Sequence, residues 1–259
     1  MSTLTSYASQ SARDSAAPAA SNTGLCIFRS DTKAIEVSDG SDYLTYFNDG
    51  VSVGVGTNTL TFDGSTDVAT IPDDLSLQVT GDMSICAWFQ LDVTSGFRGL
   101  VGKRDAGGTN YVMYTNGNKM VSFDGSVLRT DTTTLSTGTW YHGVIVFNSG
   151  TSTLFYINGN LSSTQGASTI TTNDAPLTFG NDGVGSRLDG RLDDVAIYDK
   201  ALSNNEISSI LGGVFPTSNL IGLWTFEGDT GTTITDKSGN GNNGTLSSSS
   251  MLDTTGQRT

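Results

Sequence analysis

Alternation of apolar and polar side chains dominates the chain. Met83, Ile85, Ala87, Phe89 and Leu91 fall on one side of an extended backbone, and Ser84, Cys86, Trp88 and Gln90 on the other, as a half-buried strand requires. Asn116-Gly117 separates the apolar runs YVMYT and NKMVSF, and Asn158-Gly159 follows TLFYI. Both pairs predict type I′ hairpins, because Asn and Gly accept the positive φ such turns need. Asn148-Ser149-Gly150-Thr151 turns a further hairpin between VIVF and TLFYI. The period changes once with conviction, in GRLDDVAIYDKALSNNEISSIL from Gly190 to Leu211. Its first half reads as a strand with Val195 and Ile197 on one side and Leu192, Ala196 and Tyr198 largely on the other. Asp193-Asp194 breaks the alternation and predicts a bulge or the strand's start. The second half reads as one short helix. Ser203 and Glu206 are spaced as a capping box, Leu202 and Ile207 as a hydrophobic staple, and Gly212-Gly213 stops it. A strand-rich protein with a single helical cover follows.

The ends of the chain differ from this middle. Residues 1–23 are rich in Ser, Thr and Ala with few apolar positions, and predict an extended N-terminal tail. Between residues 24 and 50 three short apolar runs, Leu25–Phe28, Ala34–Val37 and Tyr43–Phe47, alternate with turn residues and predict a small β-meander and linker. A unit this small rarely stands without a partner, so residues 1–50 are expected to contact another chain. Residues 51–259 are left for one larger domain.

The phrase DGRLDDVAIYDKALSNNEI resembles the closing signature of laminin-G-like, concanavalin A-like jelly rolls. LTFDGSTDVATIP (Leu60 to Pro72), MSICAWFQ (Met83 to Gln90) and TGTWYHGVIVFNSGTSTLFYINGN (Thr137 to Asn160) resemble that family's other strands, in order. The resemblance, covering Leu60 to Leu211, implies an all-β, antiparallel jelly-roll β-sandwich with one short helix, beside the small N-terminal meander. Leu220 to Leu246 is similar to the segment that usually opens such a domain, yet stands here after the helix. It either folds back to complete the sandwich, the reading favoured, or begins a second, truncated repeat. In the meander, Asp31, Thr32, Glu36, Val37, Asp39 and Gly40 resemble a short element of phage tail-fibre and virion proteins, with Tyr43 where a Trp often follows.

Composition narrows the function. Lys and Arg number 13 against 26 Asp and Glu, a net charge of −13 that repels phosphate backbones and excludes nucleic acid as partner. No apolar run nears the ~20 residues of a membrane helix, and the N-terminus lacks the basic and apolar regions of a secretory signal, so membrane insertion is not expected. Cys26 and Cys86 each lie in apolar strands and read as buried free thiols, with a single disulfide as the alternative. Laminin-G-like domains usually work outside cells. Assembly into a virion in the host cytoplasm reconciles that with the missing export signal; an extracellular location is the alternative.

Chemistry-bearing residues are sparse. Glycan hydrolysis needs two carboxylates flanking one bond, but Glu36, Glu206 and Glu227 lie in unrelated segments, and Asp193 and Asp194 are strand neighbours that point apart. The lone His142 sits in a strand. An enzyme is not expected. Asp236, Ser238 and Asn240 place oxygens at alternate positions before Gly241, as in the first half of a calcium loop, but no Glu stands six residues beyond; an Asx turn is the competing reading. The family resemblance adds Asp63 and Asp194 as candidate Ca2+ ligands. For sugars, Trp88, Tyr111, Tyr114 and Trp140 offer aromatic platforms, and Arg104 to Asn110 (RDAGGTN) reads as a polar loop, making Arg104, Asn110, Tyr111 and Tyr114 the candidate binding residues. Tyr111 and Tyr114 are three apart, so only one can face out. The leading expectation is a non-enzymatic phage virion protein of tail, fibre or head surface. It would be present in several copies or as a homo-oligomer, bound to other virion proteins through residues 1–50, and would display a lectin-like jelly roll to host surface glycans. A secreted or surface carbohydrate-binding module of a bacterium is the alternative, and a divergent glycanase the third.

Overall fold

The structure is a computed structural model and describes residues 58–256, together with the backbone of five strands before them. Those strands are β1 (Thr5–Tyr7), β2 (Cys26–Arg29), β3 (Ala34–Ser38), β4 (Tyr43–Phe47) and β5 (Gly50–Ser52). β1 to β4 form one sheet in that order, β1 running parallel to β2 and the rest antiparallel. The chain divides into two compact units, residues 1–54 with 212–218, and residues 55–211 with 219–259. The rest of the expected N-terminal tail lies outside the described residues.

The larger unit begins with β6 (Thr59–Asp63), β7 (Ala69–Ile71) and β8 (Met83–Leu91). Next come β9 (Phe97–Asp105), β10 (Gly108–Asn116), β11 (Lys119–Phe123) and β12 (Leu128–Thr130). β13 (Trp140–Asn148), β14 (Ser152–Ile157), β15 (Asn160–Gln165), β16 (Leu177–Phe179) and β17 (Asp189–Tyr198) lead to helix α1 (Asn204–Leu211). β18 (Val214–Pro216) pairs with β5 in the smaller unit. The chain closes with β19 (Leu220–Trp224), β20 (Thr233–Ile234), β21 (Gly244–Leu246) and β22 (Leu252–Asp253).

Two eight-stranded antiparallel sheets make the jelly roll. The first runs β12-β11-β10-β9-β16-β7-β21-β20; the second runs β15-β14-β13-β8-β17-β6-β22, with β19 also on β17. Their inner faces enclose one core, to which β8 gives Met83, Ile85, Ala87, Phe89 and Leu91, the face its alternation predicts. The C-terminal segment is part of both sheets: β19 pairs β17, β21 pairs β7 and β22 pairs β6, and Trp224, Phe226 and Leu246 lie in the core.

On β17 the expected bulge is present, with the register shifting between Asp193 and Ala196 and Asp194 at φ 45°. The bulge turns Leu192 to the core with Val195 and Ile197, so the sequence reading of Leu192 as outward-facing is corrected. Ala196 and Tyr198 do face away. α1 covers that outer face: Tyr156 on β14 donates to Asn204 at 2.8 Å, and the Ser84 hydroxyl on β8 bonds Lys200 and Leu202 backbone just before the helix. The capping box is formed, Glu206 accepting from Ser203 N–H at 2.9 Å and Ser203 Oγ accepting from Glu206 N–H at 3.4 Å. Leu202 and Ile207 are both buried.

The Asn158-Gly159 turn has both central residues at positive φ, as a type I′ turn requires. At Asn116 the expectation shifts by one residue. Asn116 is the last paired residue, opposite Lys119, and the turn's centre is Gly117-Asn118 with only Gly117 at positive φ, the type II′ pattern. Cys86 is a buried free thiol whose pKa burial pushes up; Cys26 lies outside the residues whose side chains are described. Among the described residues no helix is long and apolar enough to cross a membrane.

Candidate functional site

Among the described residues the one α-helix lies on the second sheet, and one corner of the first sheet's outer face is built by glycines. A Cβ on Gly99 of β9 would stand 2.5 Å from the backbone N of Asp182, and one on Gly102 would stand 2.9 Å from its Cα. Bare backbone at both positions lets residues 181–186 (NDGVGS) lie flat across β9. That close approach delivers the Asp182 carboxylate to side chains rising from β9 and β10.

Asp182 is nearly fully buried, and its two oxygens are shared out evenly. Oδ1 accepts from the N–H groups of Val184 (3.1 Å) and Ser186 (2.8 Å); Oδ2 accepts from the Tyr114 hydroxyl (2.9 Å) and from Arg104 (3.2 Å). Arg104 also donates to the Tyr114 oxygen at 2.6 Å, and its guanidinium stands over the Phe123 ring at 5.1 Å. Burial alone would raise the Asp182 pKa, but the donors from Ser186, Tyr114 and Val184 more than offset it and hold the carboxyl below its usual value. Burial, then the neighbouring Asp182 charge, pushes the Tyr114 phenol up. The cluster is a fixed array of one anion, one cation and one phenol at neutral pH.

Around this array lies a recess of about 220 Å³. Phe97 meets the Tyr114 ring edge-on at 5.5 Å, and Phe97, Leu128 and Val184 are 39%, 47% and 46% exposed at its rim. Exposed large apolar groups gathered round a few polar ones are the composition of a small-ligand site. A larger hollow of 390 Å³, between the Leu75–Asp82 stretch and Asp199 with Ile221, contains no aromatic or basic side chain.

The sequence-predicted binding residues separate. Arg104 and Tyr114 come together in the recess. Asn110 and Tyr111 do not: both are fully buried, Asn110 donating to the Val79 and Thr171 carbonyls and Tyr111 to the Leu77 carbonyl from within the core. The reading of Arg104 to Asn110 as a loop is also corrected, since β9 runs to Asp105 and β10 starts at Gly108, a tight hairpin, and a register shift between Thr109 and Tyr111 lets the neighbours Asn110 and Tyr111 both be buried. Trp88 stands on the other sheet, its ring 5.3 Å from His142. Phe97, Phe123, Leu128, Asp182, Val184 and Ser186 were not among the sequence candidates. Two signals pointed to them: the spaced glycines of FRGLVG, which mark a close backbone approach, and the Asx-type loop NDGVGS that uses it.

The candidate metal ligands are not gathered. Among the described residues no three His, Cys, Asp or Glu side chains are placed to hold one ion. Asp236 accepts four protein donors, Leu223 N–H and Ser238 N–H on Oδ1 and Ser238 O–H and Asn242 N–H on Oδ2. Asn240 turns its amide nitrogen to the Leu220 and Ile221 carbonyls. Asp63 is wrapped by Ser65, Thr66 and Asp67, whose donors pull its pKa down. Asp194 sits buried at the β17 bulge. As for paired carboxylates, Glu206 is engaged by Ser203 and Lys200, and Glu227 accepts from Asn58 N–H at 2.7 Å.

A laminin-G profile described as the concanavalin A-like lectin/glucanases superfamily matches residues 63–208. The chain belongs to this superfamily. No curated protein matches it. Solved structures of concanavalin A-like architecture do. A candidate carbohydrate binding protein from Bacteroides ovatus aligns at TM-score 0.63 and 16% identity, over 87% of this chain and 68% of that one. The heptameric SAP-like pentraxin of Limulus polyphemus aligns at 0.51 and 16%, over 77% and 99%. The binding domain of Paraclostridial Mosquitocidal Protein 1 aligns at 0.51 and 18%, over 74% and 52%. At these identities the likeness is one of fold.

Proposed function

We propose that this concanavalin A-like domain is a non-enzymatic glycan-binding module whose saccharide site is the recess around Arg104, Tyr114 and Asp182. The observation that carries the reading is the recess itself: a hydrogen-bonded Arg–Tyr–Asp array, its Tyr114 and Asp182 buried and its Arg104 partly exposed, beneath a rim of exposed aromatic and aliphatic side chains. Sugars present C–H faces and hydroxyls together, and such a surface offers stacking area beside fixed polar groups. The assignment of a Bacteroides ovatus relative in fold as carbohydrate binding supports it. In its finer form the reading is of a phage virion component, attached to the particle through residues 1–50 and turning this domain toward host surface glycans. The meander's likeness to virion elements supports that form.

The test is a glycan array probed with the full chain and with Arg104→Ala. Wild type is expected to bind a defined subset of glycans; the variant is expected to lose them while still unfolding in one cooperative transition, at a lowered melting temperature because the buried Asp182 loses a charged partner. Binding that survives Arg104→Ala unchanged would place the site elsewhere.

A further inference from the structure

Within the glycan-binding reading, on which this step rests, the polar groups of the recess have a definite sign. Asp182 has about four acceptor positions, and all four are taken by Val184 N–H, Ser186 N–H, Tyr114 O–H and Arg104. The Tyr114 hydroxyl is likewise used twice, donating to Asp182 and accepting from Arg104. Neither group has capacity left for a ligand. Arg104 does: among the described residues one terminal nitrogen makes both of its hydrogen bonds, out of five N–H donors, and its side chain remains 27% exposed. Of the Arg–Tyr–Asp array, therefore, Arg104 alone has capacity for a ligand, and it offers donors. Beside those donors stand the exposed Leu128 and Val184, suited to a methyl group.

Charge decides between the acceptors a sugar can bring. A carboxylate would meet an Arg whose charge is already matched by Asp182, on a chain of net charge −13. Displacing that match would leave Asp182 buried and short of a partner, which is costly. A neutral acceptor adds to Arg104 without competing for Asp182. At about 220 Å³ the recess is also below the ~300 Å³ at which drug-sized pockets begin, so it takes one group of one sugar ring.

We infer that the recess selects uncharged N-acetylhexosamines by their acetamido group, the carbonyl oxygen accepting from Arg104 and the methyl resting on Leu128 and Val184. An amide carbonyl with a methyl attached is the neutral unit that fills both halves of this surface. A plain hexose supplies hydroxyls, each carrying a proton that finds no acceptor on Asp182 or Tyr114.

The experiment is a titration of the full chain, followed by amide chemical shifts or calorimetry. The probes are the methyl β-glycosides of N-acetylglucosamine, N-acetylgalactosamine, glucose and glucuronic acid. At least one acetamido sugar is expected to bind about ten- to hundredfold more tightly than the glucoside, the scale of a hydrogen bond to a charged donor plus a buried methyl. Leu128→Ser and Val184→Ser alter side chains that are about half exposed and are expected to leave the melting temperature within a few degrees of wild type. Each is expected to weaken the acetamido sugar more than the glucoside, so that the ratio of their affinities falls toward one. Equal affinity for glucoside and acetamido sugars, or tightest binding of the glucuronide, overturns the acetamido selection and leaves the glycan-binding reading standing. Array binding confined to glycans without N-acetyl groups does the same. Silence of all four probes and of the whole array overturns both.

Discussion

Replacing Trp224 by Ala tests whether the C-terminal segment is part of the sandwich's cooperative unit. The indole is fully buried, lies edge-on to Phe179 at 5.1 Å, and donates from Nε1 to the Asn242 carbonyl at 2.9 Å. Truncating a buried Trp costs about 3–5 kcal/mol in lost transfer energy and residual cavity. The space has little chance to collapse, because β19 is fixed along β17 from Val195 to Tyr198 and the ring is packed against Gly222, where a Cβ would come within 2.3 Å of it. Orphaning the Asn242 carbonyl adds about 1 kcal/mol. The expected total is about 4–6 kcal/mol, and at roughly 2–4 °C per kcal/mol for a domain of this size the melting temperature falls by about 8–24 °C. Trp224→Phe keeps most of the ring and loses the hydrogen bond, and is expected to cost about 1–2 kcal/mol. Urea unfolding followed by near-ultraviolet circular dichroism measures both, and one transition should persist in each. A loss below about 1.5 kcal/mol for Trp224→Ala, or a second transition in the wild type that the substitution removes, would refute the reasoning. The segment would then be an appendage and not a member of both sheets.

Ser203→Ala removes half of the capping box and is expected to lower stability by about 1 kcal/mol, read as a shift in the urea midpoint with unchanged slope. Burial by itself would raise the Asp124 carboxyl, but the N–H groups of Val127 and Ser126, the Ser126 hydroxyl and Arg129 outweigh it and hold the pKa at about 2. A depressed folded pKa gives stability that is present above about pH 4 and lost as the pH falls toward 2; Asp124→Asn should flatten the urea midpoint over that window, and an unchanged slope would contradict it. Because Asp236 is satisfied by four protein donors, adding calcium or chelator is expected to leave the melting temperature unchanged, while Asp236→Ala lowers it in either condition. For the virion form of the proposal, a chain lacking residues 1–50 is expected not to co-sediment with particles that carry the intact chain; normal incorporation would count against it.

The parts of the fold legible in the sequence were those that local chemistry decides. Strict alternation in β8 assigned its core face, and Ser203 with Glu206 placed the start of α1. The bulge at Asp193-Asp194 was visible as a broken pattern, but its effect on Leu192 was not, because the side to which a bulge turns its neighbour depends on the partner strand. Asn116-Gly117 went one residue astray for a similar reason: cross-strand pairing of Asn116 with Lys119 outranked the turn preference of the dipeptide. The site was half legible. Arg104 and Tyr114 carry chemistry in their own side chains, whereas Asp182 and Val184 matter only through a crossing from some 70 residues away. That crossing depends on what Gly99 and Gly102 lack.

The two outer faces of the sandwich explain why the candidate site lies where it does. On the second sheet the face presented by β8, β14 and β17 is taken by α1, whose approach is tied down at Ser84 and Asn204. Ala196, Tyr198 and Val144 on that face are buried. Among the described residues no α-helix lies on the first sheet, whose outward Val112, Tyr114 and Val121 form a small buried cluster with Phe123 packed against it, and the loop carrying Asp182 bonds Tyr114 there. A loop laid over a sheet must satisfy its own backbone, which residues 182–186 do through the Asp182 side chain. The carboxylate that caps the loop also anchors Tyr114 and Arg104. Covering the sheet and fixing the recess are thus one structural act, so substitutions at Gly99 or Gly102 should damage binding and stability together. Substitutions at Leu128 or Val184 should separate them.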